Sequence, residues 1–406
     1  MGSWYALIIH NHDLLSGKSY LEPLIGCLFS ELEKIIIEND DDNSSEYKYK
    51  TTAGKMMKRL SILGITPLKS KKAFFANKKK YIIEHTEEGE YWGEKGLKKL
   101  SFKKWCDTVK IIIEDENKYY RWDSQNIQDE ARKYITDSEE FFLGFPSENL
   151  REPLSIILSL FCKDEPVILD YSSLVSGGYY EPSDKMVDIS RKILLNERYT
   201  NENVVLITEG KFDVYVLEET LGLLFPDYED IFRFLDFDSS RTPGGAGQLV
   251  NYLKALSGAK ITDRIIAIFD NDTAAYDAIR VLNDLDLEKN ISFTTYPDYS
   301  YLNDYPTIGP TGKKNMNINK LSGSIELYLG DDILTKSGYT YPVQWTGYIR
   351  AIGKYQGEVL QKNKIQELFA FKIDESKKNG INISLDWNGI KMIWQEIFRV
   401  CEEYSI

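Results

Sequence analysis

Two places in the chain put acidic side chains where an apolar run gives way to a polar turn. Val204-Val205-Leu206-Ile207 leads into Thr208-Glu209-Gly210-Lys211-Phe212-Asp213, and Ile265–Phe269 leads into Asp270-Asn271-Asp272. An acid at the end of a buried strand meets solvent at the sheet's rim and escapes the penalty of an unpaired buried charge. Gly210 lets the backbone turn after Glu209, which sets Asp213 in the first turn of the following helix. Asp270 and Asp272 are two residues apart, so in extended or loop geometry both can point to one cavity. Carboxylates gathered at one rim repel unless a cation sits among them, and an all-oxygen set suits Mg²⁺ or Mn²⁺, as one ion or two. Such ions neutralise charge building on a phosphoryl group, activate water and stabilise the leaving oxygen. The plainer reading is helix capping, for which Asp272 is well placed. Two such motifs, each between a buried strand and a helix, are hard to obtain by capping alone.

These acids need a parallel α/β sheet to position them, and the sequence from Asn203 onward supplies its pattern. Continuous apolar, β-branched runs at Val204–Ile207 and Ile265–Phe269 fit strands covered on both faces. Ile231–Phe237 and Ile291–Tyr296 are further predicted strands. Lys211–Leu223, Gly247–Ser257 and Thr273–Leu285 have helical spacing, and Ser324–Leu329 begins a short helix. Function in such sheets collects at the carboxyl ends of the strands, where Glu209 and Asp270 fall. Beyond about residue 340 the sequence reads as mixed, aromatic-rich helix.

The first 200 residues read as α+β. Tyr5–Ile9 and Val167–Tyr171 are predicted strands. Leu21–Ile37, Phe102–Glu114, Ile127–Tyr134, Leu150–Cys162 and Lys185–Leu195 have helical spacing, and Asn39–Glu46 is a polar break. The expected division is an α+β module over 1–100, a mainly helical region over 101–202, a catalytic domain over 203–335 and a helical extension over 336–406.

The pair TEGKFDV and IFDND resembles the Toprim domain of topoisomerases, bacterial primases and OLD-type nucleases: a strand-end glutamate with glycine, then a DxD. The resemblance covers roughly residues 203–330 and implies a Rossmann-like parallel sheet flanked by helices in the C-terminal half. It implies that Glu209 is a metal-binding or general acid–base carboxylate and that Asp270 and Asp272 bind metal. Asp213 then supports the glutamate or binds a second ion. The nuclease branch adds a later acid, matched by Glu326 in GSIELYL, and a late basic residue, matched in QKNKIQELFA by Lys364, with Lys362 as second choice. MGSWYALIIHNHDLLSGKSY, KRLSILGIT and VILDYSSLVSGGYYE are similar to the N-terminal module of HEPN/Toprim-associated proteins of bacterial conflict systems. A HEPN ribonuclease needs RxxxxH, and none of the three histidines, His10, His12 and His85, follows an arginine at that spacing. The resemblance therefore assigns nuclease chemistry to the Toprim part, as an effector of antiviral defence or another conflict system.

Composition narrows the partners. The net charge of −13 over 406 residues speaks against a nucleic-acid coat protein. Yet Tyr47–Ile83 contains no acid, and it holds Lys55, Lys58, Arg59, Lys71, Lys72, Lys78, Lys79 and Lys80 with Phe74, Phe75 and Tyr81 among them. Lysines on a phosphate backbone and rings on bases would suit DNA or RNA there; a solvated basic face is the bland alternative. The loop SSRTPGGAGQ, with Arg241, reads either as a phosphate contact or as a flexible lead into a helix. His10-Asn11-His12 spells HNH without the dispersed ligands that name requires. LLSGKS and GPTGKK lack the first glycine of a P-loop, with His12 and Thr307 in its place. An ATPase or sensor, if one is used, is therefore expected as a separate partner. Four scattered cysteines, with no CxxC pair, argue against a zinc module or disulfide scaffold. No signal peptide or membrane span is read, so a cytoplasmic protein is expected. Two rival functions share the motifs: a primase- or topoisomerase-like nucleotidyl transferase, and a non-catalytic nucleic-acid-binding or sensor subunit.

Overall fold

The computed structural model describes residues 2–39, 44–86, 92–115, 130–138, 141–196, 203–235, 237, 242–336, 338–380 and 385–403. They form two compact units, Met1–Glu202 and Asn203–Ile406. Among the described residues no helix is long and apolar enough to cross a membrane. All four cysteines are free thiols.

The N-terminal unit is built on an antiparallel sheet of β1 (Trp4–Ile9), β2 (His12–Lys18), β3 (Lys34–Asn39), β4 (Ser44–Thr52) and β5 (Pro166–Asp170), ordered β2-β1-β5-β4-β3. Its longer helices are α1 (Ala53–Ile62), α2 (Pro67–Thr86), α3 (Trp92–Lys99), α4 (Phe102–Glu114), α5 (Glu130–Asp137), α6 (Arg151–Ser159) and α7 (Met186–Asn196). The strand and helices expected at 5–9, 102–114, 150–162, 167–171 and 185–195 are present. Leu21–Ile37 is not a helix. After one turn at Pro23–Gly26, Ser30 and Glu33 form a capping box around a short 3-10 turn, and Ile35-Ile36-Ile37 then extend as β3 at the sheet edge. β-branched residues in a row favour that pleated conformation. His10 and Asn11 adopt φ of 52° and 59° as the turn between β1 and β2, which accounts for the HNH string. Leu14–Lys18 of LLSGKS lie within β2, so its glycine and lysine are strand residues and not part of a loop between a strand and a helix.

The C-terminal unit contains a four-stranded, wholly parallel sheet. It comprises β6 (Val204–Ile207), β7 (Phe232–Phe234), β8 (Arg264–Phe269) and β9 (Ile291–Thr295), in the order β9-β8-β6-β7. Between them run α8 (Lys211–Leu224), α9 (Ala246–Gly258) and α10 (Thr273–Asn283). One face of the sheet, with Ile207, Ile265, Ala267, Phe269 and Ile291, packs on Leu249, Val250 and Leu253 of α9 and Ala275 and Leu282 of α10. Alternation turns Leu206, Ile266 and Ile268 to the other face, and all three are buried. This two-sided cover explains why β6 and the Ile265–Phe269 stretch of β8, the two central strands, are apolar runs, whereas the edge strands β7 and β9 carry Arg233, Ser292, Thr294 and Thr295.

A second sheet follows: β10 (Tyr305–Gly309), β11 (Gly312–Met316), β12 (Val343–Ile349) and β13 (Lys354–Val359), ordered β11-β10-β12-β13. It corrects two expectations. Residues 343–359 are a hairpin, not helix, and β12 pairs with β10, so the sheet spans the boundary expected at 335. Aromatic and β-branched residues at Val343, Trp345, Tyr348, Ile349, Tyr355 and Val359 supply strand preference there. GPTGKK is the tight link from β10 to β11, with Gly312 at φ 100°. Helices α11 (Lys362–Asn379) and α12 (Asn388–Glu403) complete the unit. The Trp394 ring of α12 lies 5.4 Å from Phe232, and its indole N–H donates to Thr220 Oγ1 at 3.1 Å.

Candidate active site at the sheet rim

β6 and β8 are hydrogen-bonded neighbours, so the turns that follow them lie side by side. Glu209 leaves β6, and its Oε1 accepts the backbone N–H of Asp270, which leaves β8, at 2.9 Å. The glycine loop before α9 closes over the same turn. Gly245, at φ 103°, donates its N–H to the Glu209 carbonyl at 2.7 Å. A Cβ on Gly244 would stand 2.5 Å from that carbonyl oxygen, so close backbone approach requires glycine. The Ala246 N–H reaches toward the Glu209 carboxylate. The loop thus positions the glutamate. Arg241, expected beside it, lies outside the described residues.

Gly210 serves differently from the expectation. Its φ of −159° is open to any residue, but a Cβ there would sit 3.3 Å from Asp213 Oδ2. Glycine leaves room for the carboxylate of α8's first turn. Asp213 is buried, and its Oδ1 accepts the hydroxyl of Tyr296, the residue just past β9, at 2.5 Å.

Asp270 and Asp272 differ in how far the chain uses them. Asp270 Oδ1 is buried and has no hydrogen-bond partner among the described residues. Asp272 caps α10: its Oδ1 accepts the Ala275 N–H at 2.8 Å, and its Oδ2 accepts Gln356 Nε2 at 2.7 Å. Capping and a place in the cluster are therefore both true of Asp272. Asn271 between them is fully buried. Its amide donates to Asp298 Oδ1 at 3.1 Å and its carbonyl accepts the Lys320 N–H at 3.1 Å. The turn is held on both sides.

Glu326 joins from a short 3-10 helix, Ile325–Tyr328, and is buried. Its Oε1 accepts Gln366 Nε2 at 2.9 Å, while its Oε2 accepts no hydrogen bond among the described residues and lies 3.6 Å from Lys362 Nζ. Lys362, not Lys364, is therefore the basic residue at the cluster. Lys364 turns outward and pairs with Glu367 at 2.9 Å. The two lysines are two positions apart on α11 and so leave the helix on different faces, whereas Lys362 and Gln366, four apart, share one.

The electrostatics record the crowding. Burial pushes Glu209 up to about 8; the Asp270 N–H opposes this, and the charges of Asp272 and Asp213 add to it. Burial lifts Asp213 to about 6, against the Tyr296 hydroxyl and with the charge of Glu326. Asp270 is raised well above the carboxylate range, by burial first and then by Glu209, Asp213, Asp272 and Glu326. Burial pulls the Lys362 ammonium down, but Glu326, Asp270, Glu358 and Asp213 overrule it and leave it raised. Glu209, Asp213 and Asp270 are groups that a positive charge would relieve.

The donor chemistry fits a hard divalent cation: carboxylate oxygens throughout, one of them, on Asp270, buried and unsatisfied. Among the described residues, however, no three of His, Cys, Asp and Glu close around a point that could hold a metal ion. Side-chain rotation has to complete such a shell. A cavity of about 770 Å³ lies elsewhere in the unit, lined by residues including Tyr301, Lys313 and Tyr339, and none of the five acids borders it.

The basic stretch of the N-terminal unit divides in two. Arg59 is buried and donates to the Cys27 carbonyl at 3.2 Å, so it belongs to the core and not to a nucleic-acid surface. Lys78 donates to the carbonyls of Lys98 and Leu100 at 3.1 and 2.7 Å and closes the end of α3. Lys55, Lys71, Lys72, Lys79 and Lys80 are exposed and Lys58 is half-buried, with Lys71 Nζ 5.3 Å from the centre of the Phe102 ring. Sequence reasoning passed over Tyr296, Gln356 and Gln366, which hold three of the acids. Tyr296 alone carried a signal, as the last residue of a predicted strand.

No curated protein and no solved structure matches the chain. Residues 1–193 match the family model HEPN/Toprim N-terminal domain 1, which supports a HEPN/Toprim-associated family for this protein.

Proposed function

We propose that the C-terminal unit is a Toprim-type, Mg²⁺- or Mn²⁺-dependent phosphodiesterase acting on nucleic acid. The observation that carries this reading is the junction of the β6 and β8 turns, where Glu209 takes the Asp270 N–H beside a buried, unsatisfied Asp270 oxygen. A bound cation would supply charge neutralisation at the phosphoryl group. Asp270, Glu326 and Asp213 would hold it, and Asp272 would join them through the lone pairs that its two present bonds leave. Glu209, fixed at the junction of the two turns, would serve in its deprotonated form as the base toward an attacking water. Lys362, beside Glu326, would offset negative charge on the scissile phosphate.

The exposed lysines of the N-terminal unit, Lys55, Lys71, Lys72, Lys79 and Lys80, are proposed contacts to a phosphate backbone. A role in defence or another conflict system, in the cytoplasm and with any ATPase or sensor as a separate chain, is part of the same proposal; the match of residues 1–193 supports the HEPN/Toprim-associated family on which it draws. The rival, a non-catalytic nucleic-acid-binding subunit, draws on the absence of a ready three-carboxylate shell among the described residues.

Labelled DNA, RNA and tRNA incubated with the purified full chain in Mg²⁺, Mn²⁺ or EDTA decide between them. Cleavage in either metal that disappears in EDTA and in Asp270→Ala is expected. Tight binding without turnover in any divalent metal would establish the rival, and cleavage undiminished by EDTA would exclude the metal mechanism.

A further inference from the structure

The hairpin of β12 and β13 carries a cluster of rings that no core absorbs. Tyr348 and Tyr355 are opposite one another in the ladder, with ring centres 5.1 Å apart, and Trp345 lies 6.3 Å from Tyr355. Tyr348 is 53% exposed and Tyr355 61%. Large rings on paired strands ordinarily stabilise a sheet by being covered, and these two remain open to solvent.

The charge around them is opposite to that of the chain as a whole. From Val343 to Val359 the charged residues are Arg350, Lys354 and Glu358. Arg350 and Lys354 are exposed. Lys354 Nζ stands 5.8 Å from the centre of the Tyr276 ring of α10. On the other edge of the same sheet, Lys313 and Lys314 of β11 are exposed as well.

The hairpin is also fastened to the acid cluster. The Thr273 hydroxyl donates to the Tyr355 carbonyl at 2.6 Å, the Ala274 N–H donates to Gln356 Oε1 at 3.0 Å, and Gln356 Nε2 donates to Asp272 Oδ2 at 2.7 Å. Tyr355 is the chain neighbour of Gln356, and alternation along β13 turns its ring to the other face from the glutamine side chain that clamps Asp272. We infer that this hairpin is a stacking platform for single-stranded nucleic acid, with bases on Tyr348 and Tyr355 and phosphates near Arg350 and Lys354, on the element that also holds Asp272. The inference rests on the phosphodiesterase reading only for the use made of the bound strand. Unpaired bases are specified because a duplex hides the faces that a ring stacks on, and stacking of this kind tolerates any sequence.

The test uses the full chain in EDTA, so that binding is measured without cleavage. Fluorescence anisotropy is followed with labelled oligodeoxyuridylate, oligouridylate and a duplex of equal length. The wild type is expected to favour single strands. Tyr348→Leu with Tyr355→Leu should weaken single-strand binding by roughly ten-fold or more per ring, whereas the double Phe variant should stay within about two-fold. Arg350→Ala with Lys354→Ala should flatten the salt dependence. Equal binding by the Leu variant and the wild type, or a wild-type preference for duplex, would overturn the platform. A preference for one of the two homopolymers upholds it and names the sugar. Loss of binding in the Leu variant, in a protein that cleaves nothing in Mg²⁺, upholds it too and removes only the phosphodiesterase reading.

Discussion

The backbone N–H of Asp270 donates to Glu209 Oε1 across 61 positions of sequence, tying the two acidic motifs into one structure. Glu209→Gln keeps an oxygen for that bond and removes the charge. Cleavage in Mg²⁺ should fall by about a hundred-fold or more, the range expected for a lost general base or ligand. The melting temperature in EDTA should hold or rise, because the folding chain no longer has to take up a proton at that position. A melting temperature lowered by several degrees would instead mean that the residue's role is to hold the fold.

The raised carboxyls set a direction for stability against pH. Glu209 at about 8 and Asp213 at about 6 lie above their ordinary values of 4.5 and 3.8. The native state therefore keeps protons that the unfolded chain has released, and stability falls as pH rises from the ordinary carboxylate range through about 8. Urea midpoints of the metal-free protein should drop over that window, and the drop should be smaller in Glu209→Gln. Saturating Mg²⁺ should flatten it. Equal slopes for wild type and variant would disprove the assignment.

Lys362 and Lys364 give a matched pair of substitutions. Lys362→Met removes the cation 3.6 Å from Glu326 Oε2 and should reduce cleavage by about ten-fold or more. Lys364→Ala removes an exposed partner of Glu367 and should leave rate and stability almost unchanged. Initial rates under single-turnover conditions check both, and an inverted order would return the role to Lys364.

Two glycines of one loop and helix should respond in opposite senses. At Gly244 an added methyl meets the Glu209 carbonyl at 2.5 Å, so Gly244→Ala should cost about 1–3 kcal/mol and displace the glutamate. At Gly247, inside α9, nothing lies within 4 Å of the added carbon, and Gly247→Ala should gain about 0.5–1 kcal/mol. Chemical denaturation of the two variants side by side gives the comparison.

Much of the C-terminal sheet was legible because a strand covered on both faces has to be apolar along its covered length, as β6 and β8 from Ile265 onward are. The acids at their ends followed from the same logic. What escaped had physical causes. Apolar spacing at Leu21–Ile37 suited a helix, yet Ile36 lies 49% exposed on an edge strand, where apolar character does not report burial. Arg59 looked like part of a basic face, although its guanidinium serves a buried carbonyl. The partners Gln356 and Gln366 are neutral and distant in sequence, so nothing in composition or spacing pointed to them. Choosing between Lys362 and Lys364 required knowing where α11 begins and which of its sides meets Glu326.

Asp272 has neither oxygen free of the chain: one serves the start of α10 and the other a glutamine 84 positions later on the hairpin. Any cation that recruits it shares those oxygens with the two bonds, so ion affinity carries a contribution set by how firmly the hairpin is seated. The coupling is reciprocal. Whatever loosens or tightens the grip of Gln356 alters the ion's affinity, and the ion alters the hairpin's seating by the same free energy.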